Sequence, residues 1–228
     1  EEESVQFWYL LVERRWRNWY NVSKKDKWAI FGGQLIVPQK QKKPPFWVYN
    51  HASKQLYLSS LHIATWSVID YVNALKKYQP KYMIGYTNSI YELAIGMRDK
   101  NLNFKMKAVI TNAEPLYEYQ EKIIVEAFGC PVVETYGQAE LVSFANRFPD
   151  GKMYESPEMG VTEIIDINQY EDGEYGKIIA TGMLNKAMPL IRYATGDLVK
   201  KIIEPCKCGR EGARLSSVLG RKKQLIKY

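Results

Sequence analysis

The sequence predicts an α/β fold: a mostly parallel sheet with flanking helices over residues 1–150, then a small β-barrel-like or strongly twisted β-rich subdomain over residues 151–220. Three observations predict it. Between residues 81 and 136, short apolar runs alternate with segments of helical periodicity, the pattern of right-handed βαβ units. After about residue 152 the helical periodicity stops, and short β-like runs separated by turn clusters take over. The change falls near Pro149-Asp150-Gly151, a turn-rich stretch suited to a boundary. A chain of 228 residues is long enough to bury a substantial core in one large domain or two small ones.

The first elements follow from spacing. Val5, Trp8, Leu11, Val12, Trp16 and Trp19 recur at three and four residues and predict an amphipathic helix over residues 4–20. Arg14, Arg15 and Arg17 make it basic, which suits either an acidic partner or, more commonly, a solvated charged face. Lys27–Phe31 predicts a strand ended by Gly32-Gly33. Residues 38–45 form a lysine-rich, proline-bounded loop, since proline removes a donor and fixes φ. Phe46–Tyr49 and Gln55–Ser59 predict short strands.

The βαβ region is next. Ser67–Tyr78 predicts a helix with Ser67 as N-cap and Pro80 just past its end. Lys81–Gly85 predicts a strand. Thr87-Asn88-Ser89 then opens a helix to about Lys100, with Ser89 and Glu92 spaced as a capping box. Lys107–Thr111 is a strand, Tyr117–Phe128 a helix stopped by Gly129, and Cys130–Val133 a buried strand. Loops after neighbouring parallel strands open on one edge of the sheet, so Asn112-Ala113-Glu114-Pro115 and Tyr136-Gly137 are expected to meet there. Beyond residue 152, β-like runs are Gly160–Asp166, Lys177–Thr181, Pro189–Tyr193, Asp197–Ile203 and Arg214–Val218.

Composition narrows the function classes. The net charge of +7 favours an anionic ligand or partner without choosing among nucleotide, nucleic acid and acidic lipid. Aromatic content is high, with 17 Tyr and 6 Trp, which suits either pockets for flat ligands or an aromatic core. Three cysteines do not suggest a disulfide scaffold, and a reducing, cytoplasmic setting is expected. No run of 18 apolar residues is present, so no membrane span is expected.

Three carboxylates are placed in loops: Glu114, Glu140 after the Tyr136-Gly137 turn, and Asp197 in Tyr193-Ala194-Thr195-Gly196-Asp197-Leu198. A carboxylate beside an aromatic ring can bind Mg²⁺ on a nucleotide's phosphates or accept hydrogen bonds from ribose hydroxyls. For each one alone, an ordinary turn or capping role is the more common reading. Cys206 and Cys208 could give two thiolates to zinc, the less common reading of such a pair. A structural zinc site wants four ligands, and Cys130, His51 and His62 are all distant in sequence. The alternative is a cysteine-containing turn.

Tyr136-Gly137-Gln138-Ala139-Glu140, Tyr193-Ala194-Thr195-Gly196-Asp197-Leu198 and Gly220-Arg221-Lys222-Lys223-Gln224-Leu225-Ile226-Lys227 occur in that order, with Asn112-Ala113-Glu114-Pro115 upstream. Together they resemble the acyl-adenylate-forming (AMP-binding) superfamily of acyl-CoA synthetases, adenylation domains and luciferases. Phe31-Gly32-Gly33, Ile36-Val37-Pro38, Lys43-Pro44-Pro45-Phe46-Trp47 and Cys206-Lys207-Cys208-Gly209-Arg210 resemble its phenylacetate–CoA ligase-like branch, in particular the CapK-type members of capsular polysaccharide biosynthesis. The resemblance covers essentially the whole chain.

That resemblance implies roles. Tyr136, with Gly137, would form a shelf for adenine, and Asn112, Ala113 and Glu114 the opposite wall. Glu140 would hold the Mg²⁺ of ATP. Asp197 would bind the ribose hydroxyls and Arg221 the ribose and phosphate side. Lys223 would be the hinge, with residues 221–228 leading to a small C-terminal domain. His62 and Tyr86 would be near the acyl pocket, although a structural role for His62 is an equal alternative. The implied chemistry is adenylation of a carboxylic acid by ATP, then transfer to CoA or another carrier thiol. A homodimer is left open. Ala139 departs from the family's pattern, which has Thr or Ser there to hold the α-phosphate. The phosphate loop would precede residue 1 and the small domain would follow Tyr228, so the resemblance makes this the central part of an enzyme's large domain, with little catalysis on its own. A catalytically silent, nucleotide- or partner-binding member is the main alternative. A basic, aromatic nucleic-acid binder is the weaker one, since no nucleic-acid motif supports it.

Overall fold

The computed structural model describes residues 2–170, 173–200, 214–215 and 218–221. Its backbone groups into two compact units, Trp16–Val133 and a second made of Glu1–Arg15 with Glu134–Tyr228.

The chain begins with α1 (Glu2–Leu11), then a π-helical segment over Val12–Arg17 and a 3₁₀ turn over Asn18–Tyr20. The expected single α-helix over 4–20 is therefore corrected. Leu11 and Val12 are buried, and so are Trp16 and Arg17, five residues further on. The i→i+5 bonding of a π-helix winds wider than an α-helix and keeps both pairs inward. Val5, expected on the buried face, is exposed. Arg17 does not lie on a solvated face either. Its Nε donates to the Tyr82 hydroxyl at 2.8 Å, and its guanidinium lies 5.6 Å from the Trp28 ring centre. The planar, weakly hydrated guanidinium stacks on aromatic faces, which an ammonium does poorly.

The unit Trp16–Val133 is built on β1 (Trp28–Gly32), β2 (Trp47–Asn50), β3 (Gln55–Ser59), α2 (Val68–Tyr78), β4 (Tyr82–Tyr86), α3 (Thr87–Asp99), β5 (Ala108–Asn112) and α4 (Glu118–Phe128). Strands β3, β1, β4 and β5 are parallel neighbours in that order, and β2 joins antiparallel on β3. The first residues of β6 (Val132–Gly137) lie beyond β5: the Val109 N–H donates to Pro131 and the Thr111 hydroxyl to Val133. The expected parallel sheet is thus present. Phe31, Leu56, Leu58, Met83 and Val109 share its core with Val72, Leu75, Leu93, Met97, Ile124 and Phe128 of the helices. Each such side chain stabilises by about 1.5–3 kcal/mol on burial. Gly85 is required by close approach, because a Cβ there would meet the Phe31 carbonyl oxygen at 2.6 Å.

Both expected N-caps are replaced by other contacts. The Ser67 hydroxyl donates to the carbonyl of His62 at 2.6 Å instead of capping α2. Helix α3 starts at Thr87, two residues ahead of the expected Ser89–Glu92 box. Its cap comes from Glu114, whose Oε2 accepts the Asn88 N–H at 2.8 Å, while the Thr87 hydroxyl donates to the Glu114 carbonyl. A carboxylate there satisfies an orphan N–H and meets the positive end of the helix dipole.

In the other unit, β6 turns back into β7 (Phe144–Arg147), which pairs antiparallel with β8 (Met153–Glu155); β8 pairs in turn with β12 (Arg214–Leu215). A second antiparallel sheet has the order β13-β11-β10-β9, with β9 at Gly160–Tyr170, β10 at Gly173–Gly182, β11 at Tyr193–Lys200 and β13 at Val218–Arg221. Among the described residues this sheet is open, with β9 and β13 at its two edges. Ala145, Met153, Ile178, Val199, Leu215 and Val218 form the core shared by the two sheets. The N-terminal residues join this unit through Ser4, whose hydroxyl donates to the Leu184 carbonyl, and Arg15, which pairs with Glu158 at 2.6 Å. The expected strand over Pro189–Tyr193 is absent, because Arg192 takes a left-handed φ of 50° and extended structure begins at Tyr193.

One carboxyl in this unit is buried against its own preference. Glu155 is 9% exposed, and its Oε1 has no hydrogen-bond partner among the described residues. Burial raises its pKa, with the Thr162 hydroxyl partly offsetting the shift. The folded protein therefore binds this proton more tightly than the unfolded chain. That stability is fully present below the ordinary glutamate pKa and is lost as pH rises through the raised folded value. Glu155→Gln should accordingly flatten the fall in urea-unfolding stability with rising pH and make the variant the more stable protein at alkaline pH. Parallel pH profiles for the two proteins would contradict this.

Candidate functional site

The end of β6 carries a hydrogen-bonded group of candidate side chains. Val132 and Val133 are buried, and the strand surfaces at Tyr136 and Gly137. The chain then turns over residues 138–141, closed by the Leu141 N–H donating to the Gln138 carbonyl at 3.1 Å. Leu141 takes a left-handed φ of 56° in that turn. Glu140 is thereby held on the β6–β7 connection, half-buried, while Ala139 is exposed.

Strand β11 supplies the other half. Tyr193-Ala194-Thr195-Gly196-Asp197-Leu198 is not a loop between two strands, as expected, but one continuous strand with a bulge. Opposite β10, Ala194 pairs with Ile179 and Leu198 with Lys177, so three residues on β11 face one on β10. Gly196 sits in the bulge at φ 82°, which a glycine adopts without strain. The Thr195 hydroxyl fastens the bulge: it donates to the Ile178 carbonyl and accepts the Asp197 N–H, both at 3.1 Å. The bulge re-aims Asp197. Register with β13 then sets Asp197 opposite the Arg221 backbone.

Two hydrogen bonds cross between the motifs. The Tyr136 hydroxyl donates to Asp197 Oδ2 at 2.8 Å. The Tyr193 hydroxyl donates to Glu140 Oε1 at 2.9 Å. Each motif thus contributes one phenol and one carboxylate, four residues apart, and the two run antiparallel. Gln138 Nε2 also donates to the Tyr136 oxygen. Burial, reinforced by the negative charge of Asp197, raises the Tyr136 pKa, so the phenol keeps its proton and remains a donor. Its ring packs on the core between the antiparallel sheets. Below it on β6, Glu134 pairs with Arg147 of β7 at 2.9 Å, with side chains 5% and 17% exposed.

The remaining predicted residues lie in the Trp16–Val133 unit. Asn112 ends β5, with its Oδ1 buried and without a hydrogen-bond partner among the described residues. Ala113 takes a left-handed φ of 64°, a strained conformation for a residue with a Cβ. Glu114 caps α3. Tyr86 ends β4, and its hydroxyl lies over Gly33, where a Cβ would approach it to 2.6 Å. His62 is buried, with Nδ1 at 2.8 Å from the Ser59 hydroxyl and its ring stacked on Phe46. Its Nε2 has no hydrogen-bond partner among the described residues. The Cys130 thiol is buried, and its pKa is pushed up to about 12. Cys206, Cys208 and Lys223 lie outside the described residues, as does the side chain of Arg221. Among the described residues no group of three or more His, Cys, Asp or Glu side chains could hold a metal ion, and no helix is long and apolar enough to cross a membrane.

Sequence reasoning missed Gln138, Thr195 and the role of Tyr193. One signal was available: the Tyr-x₃-acid spacing occurs in both motifs, Tyr136 to Glu140 and Tyr193 to Asp197.

Comparison with known proteins gives consistent relatives. Protein CapK of Staphylococcus aureus is 32% identical over 210 residues, which cover 91% of this chain and 46% of that protein. Phenylacetate-coenzyme A ligase of Thermus thermophilus is 28% identical over 128 residues, covering 53% of this chain and 29% of the ligase. The chain therefore spans less than half the length of these relatives. A crystal structure of 2-hydroxyisobutyryl-CoA ligase, in the postadenylation state with 2-HIB-AMP, superposes with a TM-score of 0.62 over 76% of this chain and 39% of that one. At 22% identity this likeness is one of fold. No model of a known protein family matches the chain.

The Tyr136–Asp197 bond can be separated from ring packing. Tyr136→Phe keeps the ring and removes the donor, and should cost about 1.5 kcal/mol in urea unfolding, at the low end for a charged acceptor because Asp197 is partly exposed. Tyr136→Ala also leaves a cavity and should cost about 3–5 kcal/mol. Equal losses in the two variants would show that the hydroxyl, not the ring, holds this corner.

Proposed function

We propose that this chain, which belongs to the acyl-adenylate-forming (AMP-binding) superfamily in its CapK-like, phenylacetate–CoA ligase-related branch, is the nucleotide-binding core of an AMP-forming carboxylate ligase. The observation that carries the proposal is the antiparallel crossing of the Tyr136–Glu140 and Tyr193–Asp197 segments, in which each carboxylate has one oxygen held by a phenol. Two motifs 53 or more residues apart in the chain are thereby tied into one polar surface beside an aromatic ring.

Each residue then has a task that its chemistry suits. The Tyr136 ring presents a flat face for adenine. Asp197, with Oδ2 held by the Tyr136 phenol, has its second oxygen to accept ribose hydroxyls, and Arg221 serves the ribose and phosphate side. Asn112, Ala113 and Glu114 contribute to adenine recognition, with the Asn112 Oδ1 a ready acceptor for an exocyclic amine. His62 and Tyr86 belong to the acyl side. Lys223 is the hinge. Glu140 is a single half-buried carboxylate. It fits Mg²⁺, which takes one or two carboxylates and completes its shell with phosphate oxygens and water. When bound, that ion neutralises charge on the nucleotide phosphates.

The reaction is attack of a substrate carboxylate oxygen on the α-phosphorus of ATP, releasing pyrophosphate and leaving an acyl-adenylate. A thiol, CoA or a carrier, then displaces AMP and forms a thioester. Little covalent chemistry falls to the protein, and its contribution is positioning and charge stabilisation. The reduced thiol of Cys130 and the use of ATP and CoA suit a cytoplasmic location.

Ala139 favours a second reading. It removes a hydroxyl from the turn that faces the phosphates in the superfamily's pattern, as a member that binds nucleotide or a partner without adenylating would allow. Acid-dependent ATP–pyrophosphate exchange by the intact protein, across a broad panel of carboxylic acids, decides between them. The ligase proposal predicts exchange with at least one acid and a loss of roughly a hundredfold in Glu140→Gln. ATP binding without exchange for any acid would favour the silent member.

A further inference from the structure

We infer that Tyr193 is a positioning residue for the Glu140 carboxylate, fixing which of its oxygens is offered to a nucleotide-bound divalent cation. The inference rests on the nucleotide-site reading above and deepens it. Nothing in the motif as read from sequence assigns Tyr193 a part. Its tyrosine begins β11, three residues before the glycine of the bulge.

The geometry is specific. The Tyr193 hydroxyl donates to Glu140 Oε1 at 2.9 Å. Glu140 Oε2 has no hydrogen-bond partner among the described residues, so one oxygen is committed and the other is available. A glutamate on a turn has three side-chain torsions to restrict. Here the restriction comes from a paired strand, anchored by the pairing of Ala194 with Ile179 on β10 and by the Thr195 hydroxyl on the Ile178 carbonyl. An outer hydrogen-bond partner of this kind orients a ligating carboxylate, and its loss typically weakens metal affinity by about 10- to 100-fold. A neutral phenol suits the task. A lysine at this place would compete with the cation for the carboxylate's charge, whereas a tyrosine orients it and leaves the charge in place.

The crossing also gives Tyr193 a counterpart. Tyr136 holds Asp197 as Tyr193 holds Glu140, so each carboxylate is oriented by the phenol of the opposite motif. Loss of Tyr193 should therefore affect the cation dependence of nucleotide binding and spare the part that Asp197 carries.

Titration of the intact protein with ATP at a series of Mg²⁺ concentrations, read by tryptophan fluorescence or calorimetry, tests this without relying on turnover. Tyr193→Phe should raise the Mg²⁺ concentration for half-maximal effect by about tenfold. Affinity for ATP in excess EDTA should be unchanged. In a Glu140→Gln background, adding Tyr193→Phe should have no further effect on the Mg²⁺ dependence, since the tyrosine acts through that carboxylate. An unchanged Mg²⁺ midpoint in Tyr193→Phe, or additive effects in the double variant, would overturn the inference while leaving the nucleotide site intact. Absence of Mg²⁺-dependent ATP binding in the unsubstituted protein would overturn both.

Discussion

The hydrogen bond from Tyr136 to Asp197 is the constraint on which the rest of the second unit's polar corner depends. A phenol at the end of a buried strand must find an acceptor, since leaving it unsatisfied costs about 1–3 kcal/mol. A carboxylate on a bulged strand has to be aimed, or it turns to water. Each group meets the other's requirement. Burial and the neighbouring negative charge both keep the proton on the tyrosine, so the direction of the bond is set by the same environment that makes it necessary.

The backbone features around that bond follow from it. Asp197 reaches Tyr136 because β11 carries an inserted residue pattern between its pairings with Lys177 and Ile179. The bulge in turn needs a residue at φ 82° and a hydroxyl that can serve two backbone groups, which Gly196 and Thr195 provide. Thr-Gly-Asp is thus a structural unit before it is a binding motif. The turn after β6 is constrained similarly, with Leu141 in a left-handed conformation and Glu140 tied to Tyr193. Strain and satisfied polar bonds thus concentrate at the turn after β6 and at the bulge within β11.

Local periodicity made most of the first unit legible. Helices α2 and α4 and strands β1, β3, β4 and β5 lie within a residue or two of their expected positions, because apolar spacing and terminators such as Gly129 act over a single turn. The failures have a common cause. The cap of α3 comes from Glu114, 26 residues away, so the nearby Ser89 was a plausible but wrong candidate. Arg17 is buried because of Trp28 and Tyr82, which no helical wheel contains. In sequence the bulge of β11 has the character of a loop, because glycine and aspartate lower strand propensity and only pairing reveals that the strand continues. The candidate site is legible as a set of residues and not as bonds: Tyr136, Glu140 and Asp197 stand out in the sequence, whereas their partners depend on register across two sheets.

The account stands or falls on whether Asp197 recognises ribose. Calorimetric titration of the intact protein with AMP and with 2′,3′-dideoxy-AMP measures this directly, in the unsubstituted protein and in Asp197→Asn. The account predicts that removing the ribose hydroxyls weakens binding by about tenfold or more in the unsubstituted protein, and that the two nucleotides become nearly equal in the variant. Equal affinity for both nucleotides in the unsubstituted protein would contradict it.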